Sequence, residues 1–98
     1  MKYILDIKET AKTGVFKAFD YYENKQEGLG DRFLEDWETH LDIIKQNPLL
    51  FQKKYKSFRQ TLIKPYPDHI IYEVEEHLIT VYKVIYAGRN PSKRYIKK

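Results

Sequence analysis

The chain contains no cysteine, which excludes disulfides, thiol chemistry and cysteine-ligated zinc together. A reducing, cytoplasmic setting fits that absence. No apolar run approaches the 18 or more residues a spanning helix needs, so no membrane role is expected. The amino-terminal stretch is charged at Lys2 and again at Asp6, which does not fit a secretory leader. Glycine and proline are scarce, at four each, and neither repeats nor low-complexity tracts occur. What is present is 98 residues, one domain's worth of chain, spanning 1–98. Hydrophobic residues make up 42 % and charged residues 33 %, a globular composition. Nine tyrosines, five phenylalanines and one tryptophan are many aromatics for this length.

Charge is divided unevenly. Residues 1–52 carry 7 basic and 10 acidic side chains, net −3, whereas residues 53–98 carry 11 and 4, net +7. A basic half points to an anionic partner or to a merely solvated surface. From Asp20 to Asp42 there are eight acidic and two basic residues, so nucleic acid would have to meet another face.

The pattern along the chain gives the element order. Tyr3, Leu5 and Ile7 alternate, predicting a short strand over residues 2–8. Ala11, Val15, Ala18 and Tyr22 form one helical stripe, predicting a helix over 9–26 despite Gly14. The Gly28-Leu29-Gly30 turn separates it from a second helix, opening at Asp31 and ending at Asn47-Pro48. Phe33, Trp37, Leu41 and Ile44 are that helix's buried stripe. The short connection makes the two helices an antiparallel hairpin. From residue 57 the period becomes two. A strand is expected over Ser57–Lys64, with Phe58 and Leu62 toward the helices and Arg59 and Thr61 away from them. Pro65-Tyr66-Pro67-Asp68 is a turn, followed by strands over His69–Glu75 and Leu78–Tyr86 joined near Glu76-His77. The last two strands carry apolar residues on both faces, so their pattern does not select the covered one. Gly88–Lys98 is a basic tail containing Pro91 and Arg94. The order β-α-α-β-β-β implies an α+β fold, a helical hairpin on one face of a mainly antiparallel sheet.

Several pieces of this order resemble the RelE/ParE superfamily of type II toxin–antitoxin toxins. They are Tyr21-Tyr22, Gly28-Leu29-Gly30 with Asp31 and Phe33, Asn47-Pro48, Phe58-Arg59, Tyr66-Pro67, Ile70-Ile71-Tyr72 and Arg89-Asn90-Pro91. The resemblance implies a small cytoplasmic toxin held inactive by a cognate antitoxin. Its target would be DNA gyrase, as for ParE-like members, or ribosome-bound mRNA, as for RelE-like members. The latter cleave RNA without a metal, and no cofactor is expected.

Metal-free cleavage requires a proton removed from the 2′-hydroxyl, positive charge on the phosphate and a proton for the leaving oxygen. Arg59 and Arg89 match positions where RelE-like nucleases carry phosphate-binding arginines, and Tyr95 matches a late tyrosine contacting the reacting nucleotide. Lys53, Lys54, Lys56 and Arg94 complete the candidate anion-binding set. Against catalysis, Tyr86 stands where many members have a histidine, and no general-base carboxylate is expected on the sheet face away from the helices. The alternative reading of Arg59 is a pairing with a carboxylate across the sheet. His40, His69 and His77 fit no metal-ligand spacing. The sequence looks closer to the ParE branch, so poisoning of gyrase is slightly favoured.

Overall fold

The computed structural model describes residues 2–86. Its elements are β1 (Ile4–Ile7), α1 (Glu9–Lys25), α2 (Leu29–Gln46), β2 (Lys53–Tyr55), β3 (Phe58–Leu62), β4 (Asp68–Glu75) and β5 (Leu78–Tyr86). The five strands form one sheet in the order β1-β5-β4-β3-β2. β1 runs parallel to β5, and every other pair is antiparallel. A parallel pair needs a long crossover. Here the crossover contains the helical hairpin and the β2–β4 meander. The α+β expectation therefore holds, with one strand added.

Both helices are amphipathic as their spacing predicts. Ala11, Val15, Ala18 and Tyr22 are buried on α1, and Phe33, Trp37, Leu41 and Ile44 on α2. They meet Ile63, Tyr66, Ile70, Tyr72, Ile79, Val81 and Val84 in a single core. Gly14, unfavourable for a helix, is explained by contact. A Cβ there would lie 2.2 Å from the carbonyl oxygen of Val84. Only glycine lets α1 approach the β5 backbone so closely.

The turn between the helices depends on two further residues. Gly28 adopts φ +87°, a conformation suited to glycine. The Glu23 carboxylate on α1 accepts hydrogen bonds from the backbone N–H groups of Gly28, at 3.0 Å, and Gly30, at 2.9 Å. These satisfy donors at the start of α2 and place an anion at the positive end of its dipole. For that reason α2 begins at Leu29, ahead of Asp31, where the acidic first turn suggested a start. Beyond β3, His40 ties α2 to the next turn: its Nε2 accepts from the Lys64 N–H at 3.3 Å, and its Nδ1 lies 2.7 Å from the Asp36 carbonyl oxygen.

Two expectations about β3 are corrected. Arg59 pairs with Tyr72 and Thr61 with Ile70. Residues directly opposite in an antiparallel pair share a face. Tyr72 and Ile70 belong to the core under the helices, so Arg59 and Thr61 lie on the helix side. Phe58 and Leu62 therefore lie on the other face, opposite to the assignment by alternation alone. Phe58 is nonetheless 1 % exposed, and its ring packs edge-to-face on Tyr82 at 5.4 Å. A bulge in β5 positions Tyr82: Ile71 pairs with Lys83 and Tyr72 with Val81, leaving Tyr82 as the extra residue. The second correction is the added strand. Lys53–Tyr55 forms β2, pairing Lys53 with Arg59, where the order read from the sequence had no strand.

Candidate anion-binding site

The cations proposed from the sequence converge in part. Lys53 and Arg59 are cross-strand partners. Lys54 belongs to the same edge strand, and Lys56, at φ 51°, closes the turn into β3. All three lysines are exposed, and the Lys56 ammonium lies 5.3 Å from the Tyr55 ring centre. Arg89, Arg94 and Tyr95 lie outside the described residues.

Arg59 differs from its lysine neighbours because it is half-buried and fixed. Its Nη1 donates to the carbonyl oxygen of Phe51 at 2.7 Å. The Tyr72 hydroxyl, from the paired position on β4, donates to the carbonyl of Pro48 at 2.8 Å. Together they pin the segment between α2 and β2 from both ends. Burial pushes the Tyr72 hydroxyl up to about 12, with the nearby Arg59 charge opposing the rise. No ion pair to Arg59 forms among the described residues, so its partner is a backbone carbonyl and not the cross-sheet carboxylate weighed above. A guanidinium has five donors. One held by a single carbonyl is aimed by the fold and retains capacity for an anion. The surrounding lysines add mobile positive charge without a fixed geometry.

A carboxylate does occupy the face away from the helices, contrary to expectation. Glu73 accepts hydrogen bonds from Ser57 and, at 3.1 Å, from the Tyr82 hydroxyl. Its signal in the sequence was its place between core residues Tyr72 and Val74, which turns it to the opposite face. Arg59 and Glu73 are thus on opposite faces of the sheet. They do not form an acid–base pair around one reacting phosphate. Tyr86 ends β5 beside Tyr21, with ring centres 6.5 Å apart.

Asp68, assigned to a turn by sequence, is instead the buried first residue of β4. Its carboxylate accepts a hydrogen bond from the Tyr22 hydroxyl. Desolvation raises the Asp68 carboxyl above its ordinary value, an effect the Tyr22 hydrogen bond partly offsets. Tyr22 is raised as well, first by burial and then by the adjacent Asp68.

No family model matches the sequence, and no curated protein matches it. Solved structures do. A chromosomal ParDE toxin–antitoxin system from P. aeruginosa superposes with a TM-score of 0.72 at 12 % identity, over 85 % of this chain and 94 % of that one. The YoeB dimer from Staphylococcus aureus gives 0.58 at 14 % identity, over 88 % and 98 %. A copper-bound mutant toxin from Helicobacter pylori gives 0.57 at 22 % identity, over 97 % and 100 %. The chain has the RelE/ParE toxin fold.

Proposed function

We propose that this chain is the toxin of a toxin–antitoxin pair, arresting growth in the cytoplasm by binding an anionic target through the β2–β3 hairpin. ParE-like poisoning of DNA gyrase is the favoured activity. The observation that carries the choice is the separation of Arg59 from Glu73, on opposite faces of the sheet. A hairpin carrying Lys53, Lys54, Lys56 and Arg59 suits electrostatic docking, but among the described residues no carboxylate stands beside Arg59 to take a proton. The TM-score of 0.72 with a ParDE toxin–antitoxin system supports the same branch.

The second reading is a RelE-like, metal-free mRNA endonuclease acting on the ribosome. The fixed guanidinium of Arg59 beside Lys53 favours it, since a planar fork aimed by the fold matches phosphate oxygens. Arg89 and Tyr95 would act with Arg59 in that chemistry, and Arg94 would add to anion binding. In either reading a cognate antitoxin is the regulatory partner.

Purified protein in two assays separates the readings. The favoured reading expects gyrase-dependent DNA cleavage with no cleavage of ribosome-bound mRNA. The reverse result assigns the RelE-like activity. Activity should survive Arg59→Lys better than Arg59→Ala in both cases, because lysine keeps the charge while losing the fork.

A further inference from the structure

A second site, away from the cationic hairpin, lies between α1 and the last half of β5. It is an open groove of about 670 Å³ whose walls include Lys17, Tyr21, Tyr22, Asp68, Lys83 and Tyr86. That volume is within the range of ligand sites and much larger than one charged group.

Its floor is anionic. Asp68 is 4 % exposed. One of its oxygens, Oδ2, accepts from Tyr22, and Oδ1 accepts no hydrogen bond from any described residue. A buried carboxylate with an uncommitted oxygen gains strongly from a cationic donor. The walls are aromatic. Tyr21 meets Tyr22 edge-on, with ring centres 5.2 Å apart, and Tyr86 at 6.5 Å. Tyr21 and Tyr86 are 49 % and 41 % exposed, well above what core tyrosines show. Rings at crossed angles around a carboxylate present π faces that attract a cation. The Lys25 ammonium, 5.0 Å from the Tyr21 ring centre, already uses one of them. At the margins Lys17 and Lys83 carry the opposite charge. They disfavour a free cation and favour one flanked by carboxylates.

We infer that this groove receives a partner protein's arginine or lysine side chain, lying between acidic residues of an extended segment. The basic group enters toward Asp68 and the tyrosines, while the flanking carboxylates meet Lys17 and Lys83. The inference is independent of the gyrase and mRNA readings, and an inert groove would leave the toxin proposal standing.

The test uses the amidated peptide acetyl-Glu-Ala-Arg-Ala-Glu and its citrulline analogue, which keeps the shape and loses the charge. Backbone amide shifts of residues 17–22 and 83–86 report binding to the full chain at pH 7.5. The arginine peptide should bind saturably and at least tenfold more tightly than the citrulline peptide. Asp68→Asn should bring the two within twofold. If that variant does not fold, Tyr21→Leu, a change at an exposed position, should reduce the preference at least threefold. Equal binding of the two peptides, no saturable shift, or an undiminished preference in a folded variant would overturn the inference.

Discussion

The two ends of the sheet are built by different rules. Under the helices, β4 and β5 present Ile70, Tyr72, Ile79, Val81 and Val84 to the core, all nearly inaccessible to solvent. At the far edge, all three residues of β2 are exposed, Leu49 and Leu50 in the connection before it are 59 % exposed, and among the described strands β2 pairs with β3 alone. The first end determines whether the chain folds. The second carries most of the candidate anion-binding residues and contributes little to packing. Functional side chains commonly sit on such lightly packed segments, held in position by a rigid scaffold. Arg59 and Tyr72 are the junction between the two ends, because their hydrogen bonds to Phe51 and Pro48 hold the edge segment to the packed sheet.

If the comparison is right, changes at the packed end cost the most stability. Trp37→Ala should destabilise by ~3–5 kcal/mol, a large share of a domain's total, as read by denaturant unfolding. An effect below about 1 kcal/mol would mean that the stripe on α2 does not anchor the core.

Gly14→Ala is a sharper test because two principles give opposite signs. Helix propensity alone would stabilise by about 1 kcal/mol. The new Cβ, however, would meet backbone at Val84, and overpacking of this kind costs ~1–3 kcal/mol. Net destabilisation is expected from thermal or chemical unfolding. Stabilisation would show that α1 and β5 are not in this contact.

The pH dependence probes the buried Asp68 at the packed end. Burial raises its carboxyl in the folded state, so the folded chain holds this proton to higher pH than the unfolded chain does. Its contribution to stability therefore falls as pH rises from the unfolded value, about 4, through the folded one. Asp68→Asn, which does not titrate, should flatten that fall in unfolding free energies measured between pH 4 and 7. An unchanged slope would place the pH dependence elsewhere.

The packed end was the more legible in the sequence. The stripes on α1 and α2 follow one period over several turns, and their buried residues are those the spacing selects. β3 was harder to read. Its five residues, Phe58 to Leu62, have apolar side chains at both ends and polar ones between, so alternation makes the apolar pair look like the core face. Pairing with Tyr72 decides otherwise, and Phe58 is satisfied on the far side by Tyr82, which an unforeseen bulge places there. β2 was invisible because Lys-Lys-Tyr has no strand pattern of its own and exists through its pairing with β3. Of the candidate site, residue types were legible and relative placement was not. Arg59, Lys53, Lys54 and Lys56 could be selected by charge, but the backbone anchor of Arg59 and the opposite face of Glu73 depend on register.

The smallest expected effect on folding accompanies the most direct test of function. The triple change Lys53→Ala, Lys54→Ala and Lys56→Ala alters only exposed side chains on the edge hairpin, each worth within about 0.5 kcal/mol of stability. Wild type and triple variant should be induced, without any antitoxin, in cells whose growth is followed by optical density and colony count. Wild type is expected to halt growth, whereas the variant, equally abundant and with nearly the same melting temperature, is not. A folded, well-expressed wild type that leaves growth unaffected, or a triple variant as toxic as wild type, would contradict it.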